Sequence, residues 1–170
     1  MDHQEILKNA CFEEAKEGDR KELLALYKAQ IGREGCPWTD EYPSTETIEI
    51  DLSRHALFVL RSDGKIVGAV SIEEDEDVEA LTVWNKKLEP EAEFARIAVR
   101  PEMQGRGIAK VMLRSLFAEF KKRGFRGVHI IVNRYNPKAL HLYDFFGFKN
   151  VGECHMYEQD FFCYELDLED

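Results

Sequence analysis

Residues 104–109, Gln104-Gly105-Arg106-Gly107-Ile108-Ala109, put two glycines one residue apart at the head of an apolar pattern with helical period. The first N–H groups of a helix have no partner inside it. With the helix dipole they make an anion site, and phosphate is the usual occupant. Glycines at that point let a bulky anion approach the main chain. Three phosphate loops can be compared with this one. GxxxxGK[ST] is absent, which removes the Mg-nucleotide loop. GxGxxG starts correctly at Gly105 and Gly107 but meets Lys110 where its third glycine belongs, which weakens a dinucleotide reading. The pattern Q/R-x-x-G-x-G/A is matched by Gln104 to Ala109 without gaps. The plainer alternative is an ordinary strand-to-helix turn.

The elements that must hold this loop follow from periodicity. The strand-like run "EFARIAV" leads straight into it. The helix after it is predicted over about 105–123, with Ala109, Met112, Leu113, Leu116, Phe117 and Phe120 on one buried stripe. Lys110, Arg114, Lys121 and Lys122 lie away from that stripe, and Gly124 ends the helix at C′. Upstream, residues 11–16 read as a short edge strand. A helix from about Asp19 to Ile31 then carries Leu23, Leu26, Tyr27 and Gln30 on one face. "GREGCPWTDEYPS" is a loop of breakers and aromatics. Ser44 is read as an N-cap, with Thr47 at the box position of a short helix towards Leu52.

Two β-rich runs around Ser62-Asp63-Gly64-Lys65 form a hairpin, and the acidic stretch "EEDEDVEA" is expected to cross solvent. Downstream, "GVHIIV" is a buried strand and "PKALHLYDFF" a helix opened by Pro137 and ended by Gly147. "FKNVGE" and "FFCYELDL" are further strands. This order predicts an α/β fold with a mixed sheet and helices on both faces.

Composition bounds the function. At 170 residues, 44% apolar and 11% aromatic, the chain is globular and is read as one domain over 1–170. No apolar run approaches the ~20 residues of a membrane span. The polar, acidic start "MDHQEILKNA" has no signal-peptide pattern, so a cytoplasmic protein is expected. Cys11, Cys36, Cys154 and Cys163 make no CxxC pair and are expected to be free thiols. A formal charge of −10 disfavours nucleic acid as a partner. The basic cluster "KKRGFRG" reads as a helix end, where cations suit the dipole.

From about residue 93 to 148 the chain resembles the GNAT superfamily, the Gcn5-related N-acetyltransferases that move an acyl group from coenzyme A to an amine. "ARIAVRPEMQGRGIAKVML" is similar to that family's strand, pyrophosphate loop and helix, and "NPKALHLYDFFGF" to its second signature. The resemblance implies a mostly antiparallel, twisted sheet and acetyl-CoA as acyl donor. It implies that backbone groups of Ile97, Ala98 and Val99 pair with the pantetheine arm. The pyrophosphate would rest on the N–H groups of Gly105, Arg106, Gly107, Ile108 and Ala109, behind Gln104. Asn136 would meet the pantetheine or phosphate side, and Tyr143 would sit beside the sulfur. Arg106 either pairs with a phosphate or points into solvent.

Within that resemblance, Glu93 is the candidate general base. It lies eleven residues before Gln104, where several family members carry a strand glutamate. An ammonium must lose a proton before it attacks a thioester, so a carboxylate near the acceptor fits. The alternative is a solvated charge among Glu89, Glu91 and Glu93. Tyr143 is the candidate acid for the departing thiolate, its alternative being a core tyrosine beside Leu140 and Phe146. Trp38, Tyr42, Trp84 and Tyr157 either border the acceptor or cap the core. Residues Glu73 to Glu79 either draw in a cationic amine or form a solvated face.

His129 reads as a core histidine and His141 as outward. His3, His55 and His155 have no partner at ligand spacing, so no metal site is expected. The function expected is direct acetyl transfer to a primary amine of a small molecule or amino acid, without a covalent acyl-enzyme. Protein N-termini or lysines as acceptors stay open, as do a non-catalytic acyl-CoA sensor and a homodimer.

Overall fold

The hairpin signal at residues 57–73 becomes the frame of one compact unit. The computed structural model describes residues 9–169, so His3 and the first eight residues of the polar start lie outside the described residues. Strands β2 (Leu57–Ser62) and β3 (Lys65–Glu73) pair antiparallel across Asp63 and Gly64. Both turn residues have positive φ, 52° and 77°, as a two-residue type I′ turn requires. β1 (Ala10–Glu14) pairs antiparallel with β2 and forms an edge.

Alternation along these strands sends neighbours to opposite faces. Leu57 and Val59 join one buried cluster with Leu23, Leu26 and Tyr27 of α1 (Arg20–Lys28) and Ile48 of α2 (Thr45–Ser53). Leu60 and Val67 join another with Val99, Ile108 and Met112. Helices therefore cover both faces of this unit's strands. The α2 cap is the one expected: Thr47 N–H donates to Ser44 Oγ at 3.4 Å, and Ser44 N–H to Thr47 Oγ1 at 3.1 Å. α1 stops at Lys28 rather than Ile31, because the chain turns through Gly32 at φ 83°. Gln30 is thereby buried, donating to Leu26 O and Val99 O at 3.2 and 2.9 Å.

Of the described residues, those up to Ile72 with Ala95–Leu116 form this first unit. Glu73–Phe94 with Phe117 onward form a second. β4 (Glu91–Val99) and α4 (Ile108–Lys122) each contribute residues to both. In the first unit β4 carries Arg96 at φ 52°. Left-handed backbone on a non-glycine residue costs roughly 1–3 kcal/mol and persists only where its surroundings hold it. Here the hold is Asp51: Arg96 Nε and Nη2 donate to Asp51 Oδ2 and Oδ1, each at 3.1 Å, with both side chains buried.

In the second unit β4 pairs parallel with β5 (Gly127–Asn133), Glu91 opposite Gly127 and Ala92 opposite Val128. β5 pairs antiparallel with β7 (Gln159–Asp167), which pairs antiparallel with β6 (Lys149–Met156). The seven strands take the order β1-β2-β3-β4-β5-β7-β6, a mixed and mostly antiparallel sheet. The β6–β7 turn is Tyr157-Glu158, both at positive φ. The acidic stretch is more than a solvent crossing. Asp75 accepts from Asp77 and Val78 N–H and caps a short helix, α3 (Glu76–Glu79), whose Val78 is fully buried.

Candidate active site

The glycine loop takes shape from its backbone angles. Gly105 and Gly107 both have φ 76°, which is outside the right-handed helical region. The helix therefore begins at Ile108, three residues later than its periodicity suggested. A Cβ added at Gly105 would meet nothing within 4 Å, so conformation rather than crowding demands glycine there. The first helical bond near this end runs from Val111 N–H to Gly107 O at 3.1 Å. Donors before it find no partner within the helix, and the buried Ile108 anchors the start.

Gln104 has a structural task, donating from Nε2 to Val99 O at 3.2 Å. That carbonyl also accepts from Gln30, so both its lone pairs are engaged. Of the three backbone positions expected to meet pantetheine, Val99 therefore has its carbonyl engaged within the fold.

Glu93 lies in the second unit and is buried, with a side chain 7% exposed. Burial first, then the nearby charges of Glu73 and Asp75, push its carboxyl up to about 8. Its Oε1 has no hydrogen-bond partner and stands 3.9 Å from His129 Nε2, which also has none. On the ring's other side His129 Nδ1 is 3.1 Å from Glu91 Oε2. Trp84 stacks on this imidazole at 4.7 Å and 16°, and its own Nε1 donates to Val78 O at 2.8 Å. Glu165, also buried, accepts from Asn85 N–H at 2.9 Å. Burial and hydrogen bonding to Glu91 push its carboxyl up to about 7. Burial holds the His129 imidazole below its usual range, which keeps it neutral.

Tyr143 sits on α5 (Pro137–Phe145), buried at 5.7 Å from both Phe94 and Phe148. Burial raises its hydroxyl well above the ordinary tyrosine value, so it keeps its proton. Adjacent strand residues face opposite ways. Phe94 turns to Tyr143 and Glu93 to His129, so the two candidate groups stand on opposite faces of β4 within this unit. Asn136 caps α5, its Oδ1 accepting from Ala139 N–H at 3.2 Å.

The four aromatics expected near an acceptor divide between the units. In the first, Trp38 packs edge-on against Tyr27 at 5.4 Å and covers the core, while the exposed Tyr42 accepts from Arg96 Nη1 at 3.1 Å. In the second, Trp84 belongs to the His129 sandwich, and the exposed Tyr157 donates to Asp75 Oδ2 at 2.6 Å. His55 and His155 pair with Glu14 and Asp160. Among the described residues no group of His, Cys, Asp or Glu is arranged to hold a metal ion, and no helix is long and apolar enough to cross a membrane. Sequence reasoning missed the joint placement of His129, Glu91 and Glu165. The available signal was Glu91 and Glu93 two apart on one strand face, but the partner register was not readable.

A family model for the acetyltransferase (GNAT) family matches residues 22–148. The chain is 27% identical over 130 residues to the [ribosomal protein bS18]-alanine N-acetyltransferase of Escherichia coli K12, covering 76% of each. It is 39% identical over 71 residues to a spermidine N(1)-acetyltransferase of Vibrio cholerae, covering 41% of this chain and 39% of that one. Among solved structures, yncA from Salmonella typhimurium, determined with acetyl-CoA as its cofactor, superposes with a TM-score of 0.71 at 16% identity, covering 94% of each chain.

Proposed function

The chain belongs to the GNAT family of acetyltransferases, whose acyl donor is acetyl-CoA, and on that premise we propose that it acetylates a primary amine of a small molecule or amino acid by direct attack in a ternary complex. The observation that carries this reading is Glu93, a buried carboxyl with an unsatisfied oxygen and a raised proton affinity. A carboxylate of that kind takes a proton from an ammonium far better than an exposed one does. The freed amine then attacks the thioester carbonyl and the tetrahedral intermediate collapses with loss of the thiolate; Tyr143, the second candidate, packs on the other face of β4 from Glu93, and its hydroxyl holds its proton tightly. N–H groups of Gly105 to Ala109 would hold the pyrophosphate, backbone groups of Ile97, Ala98 and Val99 the pantetheine, and Asn136 would contact the same cofactor.

The acidic groups Glu73, Asp75 and Glu79 that act on Glu93 favour a cationic acceptor. The likeness to the bS18-alanine enzyme supports a second reading, a protein N-terminus as acceptor. The chain acts as one domain, 1–170, in the cytoplasm.

The test is thiol release from acetyl-CoA with spermidine, single amino acids and an alanine-initiated peptide. Because the base must be ionised, acceptor kcat/KM should rise with pH through about 8. Glu93→Gln should remove that limb and lower the rate about a hundredfold at pH 8.5. A variant profile parallel to the parent's would take Glu93 out of the mechanism.

A further inference from the structure

Four buried ionisable side chains of the second unit form a connected series. Glu93 Oε1 faces His129 Nε2 at 3.9 Å, and His129 Nδ1 meets Glu91 Oε2 at 3.1 Å. Glu165 acts electrostatically on both Glu91 and His129 and accepts from Asn85 N–H at 2.9 Å. None of the four side chains is more than 7% exposed.

The orphan atoms say which proton is missing. Glu91 Oε1 is a third such atom beside Glu93 Oε1 and His129 Nε2. With Glu91 ionised, His129 Nδ1 holds the ring proton and donates it to Glu91 Oε2 at 3.1 Å. A neutral ring then offers only a lone pair at Nε2. An ionised Glu93 Oε1 is likewise an acceptor, and two acceptors stand apart without a bond. One proton placed between Glu93 Oε1 and His129 Nε2 satisfies both atoms and lets them close to about 2.7 Å. Trp84 stacked on the ring holds its plane.

We propose that His129 is a positioning residue that receives the proton Glu93 takes from the acceptor amine and passes its own on to Glu91. The proposal rests on Glu93 being the base. In the step, an amine N–H bond breaks as the Glu93 O–H forms. That O–H then breaks as His129 Nε2–H forms, while His129 Nδ1–H breaks and Glu91 Oε2–H forms. No electrons change hands, and one proton has moved from the amine to Glu91. The charged groups facing Glu93 are Glu73, Asp75 and Glu79, and those facing His129 are Glu79, Glu91, Glu93 and Glu165. All are acidic, so an incoming proton is attracted along the whole series.

The first test needs no acceptor. Nitrogen-15 NMR of the parent should show Nδ1 protonated and Nε2 bare at pH 9, with the Nε2 resonance moving as Glu93 titrates near 8. Glu93→Gln should abolish that movement. A ring protonated at Nε2, or an Nε2 signal indifferent to Glu93, overturns the proposal.

The second test is kinetic, with spermidine and an alanine-initiated hexapeptide as probes. His129→Phe keeps a stacking ring and removes both nitrogens. It should lower acceptor kcat/KM about tenfold at pH 8.5 and displace the pH profile, with the KM for acetyl-CoA unchanged. A His129→Phe profile that superimposes on the parent's, while Glu93→Gln is impaired, overturns the relay and leaves Glu93 as base. A fully active Glu93→Gln overturns both. If His129→Phe does not fold, the NMR measurement on the parent decides.

Discussion

Asp51 in the first unit and Glu93 in the second are both buried carboxyls, yet their surroundings differ in the one respect that matters for chemistry. Asp51 accepts from Arg96 Nε, Arg96 Nη2 and Ser71 Oγ, at 3.1, 3.1 and 2.8 Å, with Arg54 at 3.8 Å. Its charge is matched and its oxygens are filled. Glu93 keeps an unfilled oxygen, faces a neutral imidazole and has acidic neighbours that resist its ionisation. A buried charge with every bond made holds a backbone in place, here Arg96 at its left-handed φ. A buried acid with one bond missing is poised to gain and lose a proton. Burial therefore does not distinguish these two carboxyls; the missing partner does.

The comparison breaks most visibly at Asp51. Asp51→Ala leaves the Arg96 guanidinium buried without its counter-charge and releases the strained residue it was holding. Removing one partner of a buried pair costs about 3–5 kcal/mol, so urea unfolding at pH 7 should show a loss of that size. Replacing both partners, as in Asp51→Leu with Arg96→Met, should recover much of it. A loss under about 1 kcal/mol in the single variant would mean the pair is not a closed structural unit.

The pH dependence of stability sharpens the contrast from the other side. Glu93, at about 8, and Glu165, at about 7, lie above their ordinary value of 4.5. The folded state therefore holds protons that the unfolded state has already lost. Stability then falls as pH rises towards the folded values. His129 is shifted the opposite way, and its contribution is complete once pH passes its ordinary 6.5. Between pH 6.5 and 8 the carboxyls alone decide. The parent should lose about 1–2 kcal/mol more than Glu93→Gln across that window, measured by denaturant unfolding. Equal slopes would show that Glu93 ionises freely and that the second cluster is as closed as the first.

What was legible in the sequence follows the same division between local and distant. The glycine loop could be read because left-handed backbone at residues 105 and 107 is a property of the residues themselves. The Ser44–Thr47 cap and the Asp63-Gly64 turn were readable for that reason too. The α4 start was misplaced because apolar spacing says where a helix buries, and φ at Gly107 says where it begins. The short helix at 76–79 hid inside an acidic run whose single anchor is Val78. The Glu93–His129–Glu91 series depends on the parallel register of two strands separated by a long crossover, and no local pattern encodes it. Arg96 gave no sign of its conformation, since its cause is a carboxylate forty-five positions away.

The smallest expected effect tests the rim of the closed cluster. Tyr42 is 47% exposed and accepts from Arg96 Nη1 at 3.1 Å, while Arg96 is already held at two other nitrogens by Asp51. Tyr42→Phe removes one oxygen, and water can reach the freed donor, so the loss in unfolding free energy should stay below about 1 kcal/mol. The same variant separates the two sequence readings of this residue. If the hydroxyl only finishes the Arg96 network, acceptor KM should match the parent's and the small stability loss is the whole effect. If the ring edge also borders the acceptor, KM should rise severalfold with kcat and the KM for acetyl-CoA unchanged. Steady-state kinetics beside urea unfolding of one protein preparation gives both numbers. A stability loss as large as that of Asp51→Ala would show that the Arg96 guanidinium depends on Tyr42, and that the first cluster has no closed interior separate from its rim.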